Sequence, residues 1–234
     1  MTTTRWIIGG LIALLAYLTL HTSDKFPFPP QFVEPRDIAM DTLKPPPAPD
    51  SAEFKRSLEG IIALQKKLSA KEKEAILHED HISPEMIVLP VLGEKYTAEK
   101  YPALYTLLRH AASDAWRICD MTQEYWKSPR PWNADPRVEA LAKKLARPGY
   151  PSGHTTTNTV WAHVLSDLFP NKRSALLTRA YGVAGNRIKA GAHFPHDVEG
   201  GKKLAKAVYE KMRTSKAYQR ELEAAKEELK AVKN

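Results

Sequence analysis

From residue 54 onward apolar side chains recur every three or four positions, and almost nowhere do they alternate as a half-buried strand requires. Asp50-x-x-Glu53 has the form of a helix cap with its reciprocal carboxylate, followed by Phe54, Leu58, Ile61, Ile62 and Leu68. Ser69-x-x-Glu72 repeats that signal before Ile76 and Leu77, and Ser83-Pro84 offers a cap and a first-turn proline before Met86, Ile87 and Leu89. The longest periodic segment, about 102–125, carries Leu104, Leu107, Leu108, Ala111, Ala115, Ile118 and Met121 and predicts a central helix. Asp135-Pro136 starts a short helix through Leu145. A further helix runs from Gly153 to near Phe169, another capped by Asn171 runs through Ile188, and one follows Pro195 through Met212. Residues 215–234 read as a charged tail. The expected fold is therefore all-α, a compact helical bundle.

Ahead of this pattern the chain changes character twice. Arg5 precedes the apolar run 6–20, short for a membrane span and long for a signal-peptide core. Residues 1–23 thus predict export, either as a cleaved signal peptide or as a retained anchor that ties the domain to the membrane. No Ala-x-Ala site follows to choose between them. Prolines crowd residues 24–49, as in Lys44-Pro45-Pro46-Pro47, which predicts an extended linker, with the helical domain at 50–234.

The net charge of +8 and a pI near 9.4 suit anionic partners. The excess is diffuse, with Lys and Glu mixed along 202–233 and no basic run interleaved with aromatics, which argues against nucleic acid. Cys119 is the only cysteine and lies in an apolar helical pattern, so it reads as a small buried hydrophobe.

Candidate chemistry concentrates in two stretches. Tyr150-Pro151-Ser152-Gly153-His154 opens a helix whose apolar pattern is Val160, Trp161, Val164, Leu165 and Leu168. Free N–H groups at that helix N-terminus would sit beside a hydroxyl and an imidazole, a corner suited to phosphate, where Gly153 lets an anion approach the backbone. The second stretch is Asn186-Arg187 with His193 and Asp197 after it. Singly, His193 reads as a structural histidine, Arg130 and Arg187 as salt-bridge partners, and Asp197 as the cap of the helix after Pro195.

Jointly, Arg130-Pro131, Pro151-Ser152-Gly153-His154 and Arg187-x5-His193-x3-Asp197, in that order, resemble the three signatures of the type 2 phosphatidic-acid phosphatase superfamily. Leu43-Lys44-Pro45-Pro46-Pro47 ahead of Asp50 also resembles the mature start of bacterial class A non-specific acid phosphatases. The resemblance covers roughly 43–212. It implies an all-helical fold, phosphomonoester hydrolysis through a phosphohistidine, no metal or other cofactor, and kinship with vanadium haloperoxidases; the periplasmic location is expected from Arg5 and the apolar run 6–20. By the same resemblance His193 is the nucleophile, Asp197 holds its other nitrogen, His154 protonates the leaving oxygen, and Arg130, Arg187, Ser152 and Gly153 bind phosphate.

Two positions depart from the signatures. Gln123 stands where the first has lysine, and Asn186 where the third has serine. Lys127, one turn after Gln123, is a candidate substitute cation if the helix persists past it toward Pro129. An oligomer is compatible with the sequence. Rival readings are a vanadate-dependent haloperoxidase and a catalytically weakened anion-binding relative. A metal-dependent hydrolase of the His-Asp class is excluded, since no aspartate follows Asp197.

Overall fold

The computed structural model describes residues 29–38 and 42–232, and among them every regular element is helical. In order these are α1 (Ala52–Gln65), α2 (Ala70–His78), α3 (Glu85–Leu92), α4 (Pro102–Trp126), the single turn α5 (Pro131–Ala134), α6 (Gly153–Leu168), α7 (Arg173–Lys189), α8 (Pro195–Met212) and α9 (Lys216–Ala231). Short 3-10 turns lie at Pro35–Asp37 and Pro170–Lys172. The apolar run 6–20 lies outside the described residues, among which no helix is long and apolar enough to cross a membrane.

The helix at the centre is α6 rather than α4. It is buried along nearly its whole length, with α4, α7 and α8 packed round it. Its polar stretch from Thr155 to Thr159 hides this from a hydropathy reading, yet short side chains can be buried when they return a hydrogen bond to their own helix. Thr156 donates to the Ser152 carbonyl (2.9 Å), Asn158 to that of His154 (2.9 Å) and Ser166 to that of Ala162 (2.6 Å). Trp161 Nε1 donates to the Leu108 carbonyl (2.8 Å) and so fastens α6 to α4.

Apolar side chains form two clusters. The larger joins α3, α4, α6, α7, α8 and α9; the smaller joins α1 and α2 to Trp132, Val138, Leu141 and Phe194. Arg130 lies next to Trp132, and His193 next to Phe194, so the candidate residues sit beside the smaller cluster, where it meets the N-termini of α6 and α8.

Several local expectations are corrected. Helix α1 is capped by Ser51, whose Oγ accepts from Phe54 N (3.1 Å), not by Asp50. Starting one residue later puts Phe54 at the third helical position, where no reciprocal carboxylate exists. The box at Ser69 and Glu72 forms as expected. Ser83 makes no side-chain cap; its carbonyl accepts from Met86. Asn171 lies inside the 3-10 turn, and α7 starts after it at Arg173.

No helix forms over 136–145. There the buried Gln65 side chain replaces helical hydrogen bonds, donating to the Glu139 and Lys189 carbonyls and accepting from Glu139 N. Residues 216–231 are helix α9 rather than a charged tail, because Tyr218, Ala225 and Leu229 make a buried stripe seven and four residues apart.

The stretch expected as a linker is partly packed: Phe32, Val33 and Leu43 are buried in the larger cluster. Asp114, fully buried on α4, accepts the N–H groups of Gln31 (2.9 Å), Phe32 (2.7 Å) and Val33 (3.0 Å). A carboxylate with three donors can hold an extended strap that makes no ladder of its own. Asp114→Ala leaves those donors without their acceptor, and we expect it to lower unfolding stability by about 2–4 kcal/mol, measured by urea denaturation.

Candidate active site

Three chain segments converge on His193. The first is 128–130, which ends α4 and enters α5. The second is 147–154, leading into α6. The third is 186–197, joining α7 to α8. The last turns back through Gly191, whose φ of 68° and whose approach to Val138 and Glu139 leave no room for a Cβ, since one built there would meet atoms at 2.6 and 2.7 Å. Both Ala192 N and His193 N then donate to the Arg187 carbonyl (3.2 and 3.3 Å), which fixes the histidine relative to the arginine.

Arg130 is almost wholly buried. It donates from Nε to the Arg147 carbonyl (2.9 Å), from Nη2 to that of Pro148 (3.0 Å) and from Nη1 to that of Ala192 (3.0 Å). Its Nη1 also lies 3.1 Å from His193 Nε2. Because guanidinium only donates, Nε2 must be the accepting nitrogen, and the ring proton belongs on Nδ1. There it faces Asp197 Oδ2 at 3.3 Å, the same oxygen that accepts Phe194 N (2.8 Å). Asp197 is thus both the cap of α8 and the partner of His193, and its backbone carbonyl accepts Ser152 N (2.9 Å).

Ser152 caps α6. Its Oγ accepts from Thr155 N (3.3 Å) and Thr155 Oγ1 (3.0 Å), leaving its own proton to give. Since Ser152 N is taken by Asp197, the backbone donors left for an anion are those of Gly153 and His154 in the first turn of α6. A side chain on Gly153 would press on Trp116, with 3.0 Å to its ring.

Arg187 is also buried. Its Nη2 donates to Asp80 Oδ1 (2.9 Å), while its buried Nε and Nη1 have no hydrogen-bond partner among the described residues. The same Asp80 offers its carbonyl to His154 Nε2 (3.1 Å), so that nitrogen carries a proton. The loop after α2 therefore covers the arginine and the imidazole together, a contact that the sequence did not suggest.

Electrostatics follow from this burial. Desolvation first, then the charges of Arg130 and Arg187, hold His193 well below the usual imidazole range. Desolvation and then Arg187 bring His154 down to about 3. Desolvation pushes Asp197 up to about 7 against the opposing Phe194 N–H and Arg130. It also brings Arg130 down to about 10, with Arg147 the next cause. For Asp80, burial acts upward but the Lys143 N–H and Arg187 outweigh it, and its carboxyl lies below the ordinary value.

The structure thus gathers Arg130, Ser152, Gly153, His154, Arg187, His193 and Asp197. The other three candidates are placed differently. Gln123 is buried and donates to the Pro151 carbonyl (2.7 Å), one residue before Ser152, with its Oε1 unpartnered. Asn186 donates to Glu79 Oε2 (2.9 Å) on the covering loop. Lys127 is exposed, in the left-handed conformation (φ 49°) that ends α4, and makes no hydrogen bond to these residues. Sequence reasoning missed Asp80, Arg147 and Asp120; their partners lie 27 to 107 residues away, and no local pattern marks them. Among the described residues no cluster of three His, Cys, Asp or Glu is arranged to hold a metal ion.

Residues 104–208 match the family model described as the PAP2 superfamily. A non-specific acid phosphatase of Salmonella typhimurium is 26% identical over 237 residues, covering 96% of this chain and 92% of that one. One of Providencia stuartii is 27% identical over 146 residues, 60% of this chain and 59% of its own length. Among solved structures, a bacterial vanadium-dependent iodoperoxidase superposes with a TM-score of 0.62 at 20% identity, over 88% of this chain and 65% of that one. A transmembrane PAP2-type phosphatidylglycerolphosphate phosphatase of Bacillus subtilis gives 0.52 at 16% identity, over 70% and 86%. These two likenesses concern the fold.

His196, beside the site, stacks on Phe194 (5.0 Å between ring centres); among the described residues neither ring nitrogen makes a hydrogen bond, and Nε2 lies 3.3 Å from Asp197 Oδ1. Burial lowers its pKa to about 4. The unfolded chain therefore takes up this proton first, and stability falls as pH drops from about 6.5 toward 4. His196→Phe keeps the stack and should remove about 2 kcal/mol of that acid loss, read from urea unfolding at pH 4.5 and pH 7.5.

Proposed function

Residues 104–208 form a PAP2 superfamily domain, and from that premise we propose that the chain is a phosphomonoester hydrolase working through a phosphohistidine. The observation that carries this reading is the forced tautomer of His193. Its Nε2 lone pair faces the buried Arg130, with Asp197 behind Nδ1, close enough to buried Arg187 to feel its charge. The unused Nε and Nη1 donors of Arg187 are an unmet demand for an anion, since buried polar groups are rarely left unpaired. The acid phosphatases of Salmonella typhimurium and Salmonella typhi, similar over 96% and 80% of this chain, support the same class.

In the first half-reaction His193 Nε2 bonds to phosphorus as the bond from phosphorus to the ester oxygen breaks. The leaving oxygen takes a proton from His154, and Asp197 stabilises the cationic ring. In the second, His154 takes a proton from water, water oxygen attacks phosphorus, and the bond to His193 Nε2 breaks to release phosphate. Arg130, Arg187, the Ser152 hydroxyl and the first N–H groups of α6 hold the equatorial oxygens, whose charge is best met by fixed donors. The cationic lining suits a phosphate dianion and disfavours a metal ion, consistent with metal-independent chemistry. A bound dianion also opposes the fields of Arg187 and Arg130 at His154, a change toward the protonated form that acts as the acid.

Rapid quench with labelled substrate is expected to trap an acid-labile adduct that His193→Ala abolishes. His154→Ala should lose about 100-fold with alkyl phosphates and far less with p-nitrophenyl phosphate, whose leaving group scarcely needs a proton. Normal turnover by His193→Ala would reject the nucleophile; halide oxidation with vanadate but no ester hydrolysis would favour a peroxidase.

Export across a bacterial inner membrane belongs to the same proposal, motivated by Arg5 and the apolar run 6–20. A reporter that functions only outside the cytoplasm, fused after Pro49, should be active; activity of a cytoplasm-only reporter at the same junction rejects it.

A further inference from the structure

Arg147 is a third arginine at this site. Its carbonyl accepts Arg130 Nε, so the two residues are joined through the backbone, and their charges are close enough to lower the pKa of Arg130. Its guanidinium carbon lies over the Trp116 ring, 4.3 Å from the ring centre, and Nη1 donates to Asp120 Oδ1 at 2.9 Å. Nη2 lies 3.5 Å from where a Cβ on Gly153 would stand, beside the first turn of α6 that presents its N–H groups. Arg147 Nε is buried without a hydrogen-bond partner among the described residues.

Arg147 and Arg187 are therefore mounted alike. Each gives one Nη to a carboxylate, Asp120 or Asp80, and each keeps a buried Nε unused. Packing a third guanidinium beside two others costs repulsion in a poorly solvated place, and a doubly charged ligand among them relieves it. Gln123, by contrast, carries no charge and spends its amide on the Pro151 carbonyl. Lys127 is exposed.

We infer that Arg147 is a phosphate-binding residue, whose Nη2 reaches a phosphoryl oxygen over Gly153 and supplies the cation that position 123 lacks. The inference rests on the proposed phosphate site. It goes beyond that site in assigning the missing charge to a loop residue fixed by Trp116 and Asp120, 24 positions from Gln123.

The test is calorimetric titration of the full chain with inorganic phosphate, which needs no turnover. Arg147→Gln keeps a planar amide for the ring and for Asp120, and should bind about 10- to 100-fold more weakly, the loss of one charge-assisted contact. Arg147→Lys should recover most of that loss. In the Arg147→Gln background Gln123→Lys should recover part of it, an outcome that a purely structural role for Arg147 would not produce. Equal phosphate affinity of wild type, Arg147→Gln and Arg147→Lys overturns the inference while leaving hydrolysis intact. A wild type that binds phosphate but hydrolyses no ester sinks the phosphatase reading alone, and the Arg147 comparison still decides. Should Arg147→Gln fail to fold, Arg147→Lys against Arg147→His gives the same comparison, and equal affinities again overturn it.

Discussion

One buried guanidinium organises the site. Arg130 reaches carbonyls on two segments far apart in sequence, 147–148 and 192, and with the same group selects the tautomer of His193. Taking such an ion out of water costs several kcal/mol unless its donors are met. Here carbonyl dipoles meet most of them, and among the described residues no carboxylate pairs with it directly. The arrangement leaves the cation's field available to whatever enters beside it. That field adds to burial, the larger cause, in holding His193 neutral, while Asp197 accepts two N–H groups, one on its carboxylate and one on its carbonyl.

The helical scaffold serves this convergence. Helix α6 runs through the centre, so its N-terminus opens inside the protein and its first turn is shielded from water. Gly200 and Gly201 let α8 close on it: a Cβ at Gly200 would stand 2.5 Å from the Tyr150 ring, and one at Gly201 2.9 Å from the Ser152 carbonyl. The helix that follows His193 is thus pressed against the residues just before the first turn of α6. Small residues there set the distance between the two halves of the site.

Much of this was legible from the chain. Helical periodicity located α1, α4 and α8 because each has a dry face of ordinary apolar residues, and three short motifs marked seven residues that the structure does bring together. What was not legible depended on partners far away. Residues 136–145 carry a good start signal, but Gln65 captures their backbone. Residues 24–49 carry the composition of a spacer, but Asp114 holds the amides of Gln31, Phe32 and Val33 within it. Helix α9 buries so few residues that its Lys and Glu content masks them. Lys127 looked helical by spacing, but the chain turns left-handed there, ahead of Pro129, and its side chain is left exposed at the helix end.

The carboxylate of Asp80 gives the site a resident occupant. An anion arriving at Arg187 does not find a bare cation; it meets one already engaged at 2.9 Å by a group on the same chain. Asp80 occupies Nη2 and leaves Nε and Nη1 unused, so it need not be displaced; its negative charge instead subtracts from the pull of the guanidinium on any anion that takes those two donors. The carboxylate moves with the protein, so dilution cannot remove this opposition. Any anion held there is bound less tightly on leaving as well as on arriving.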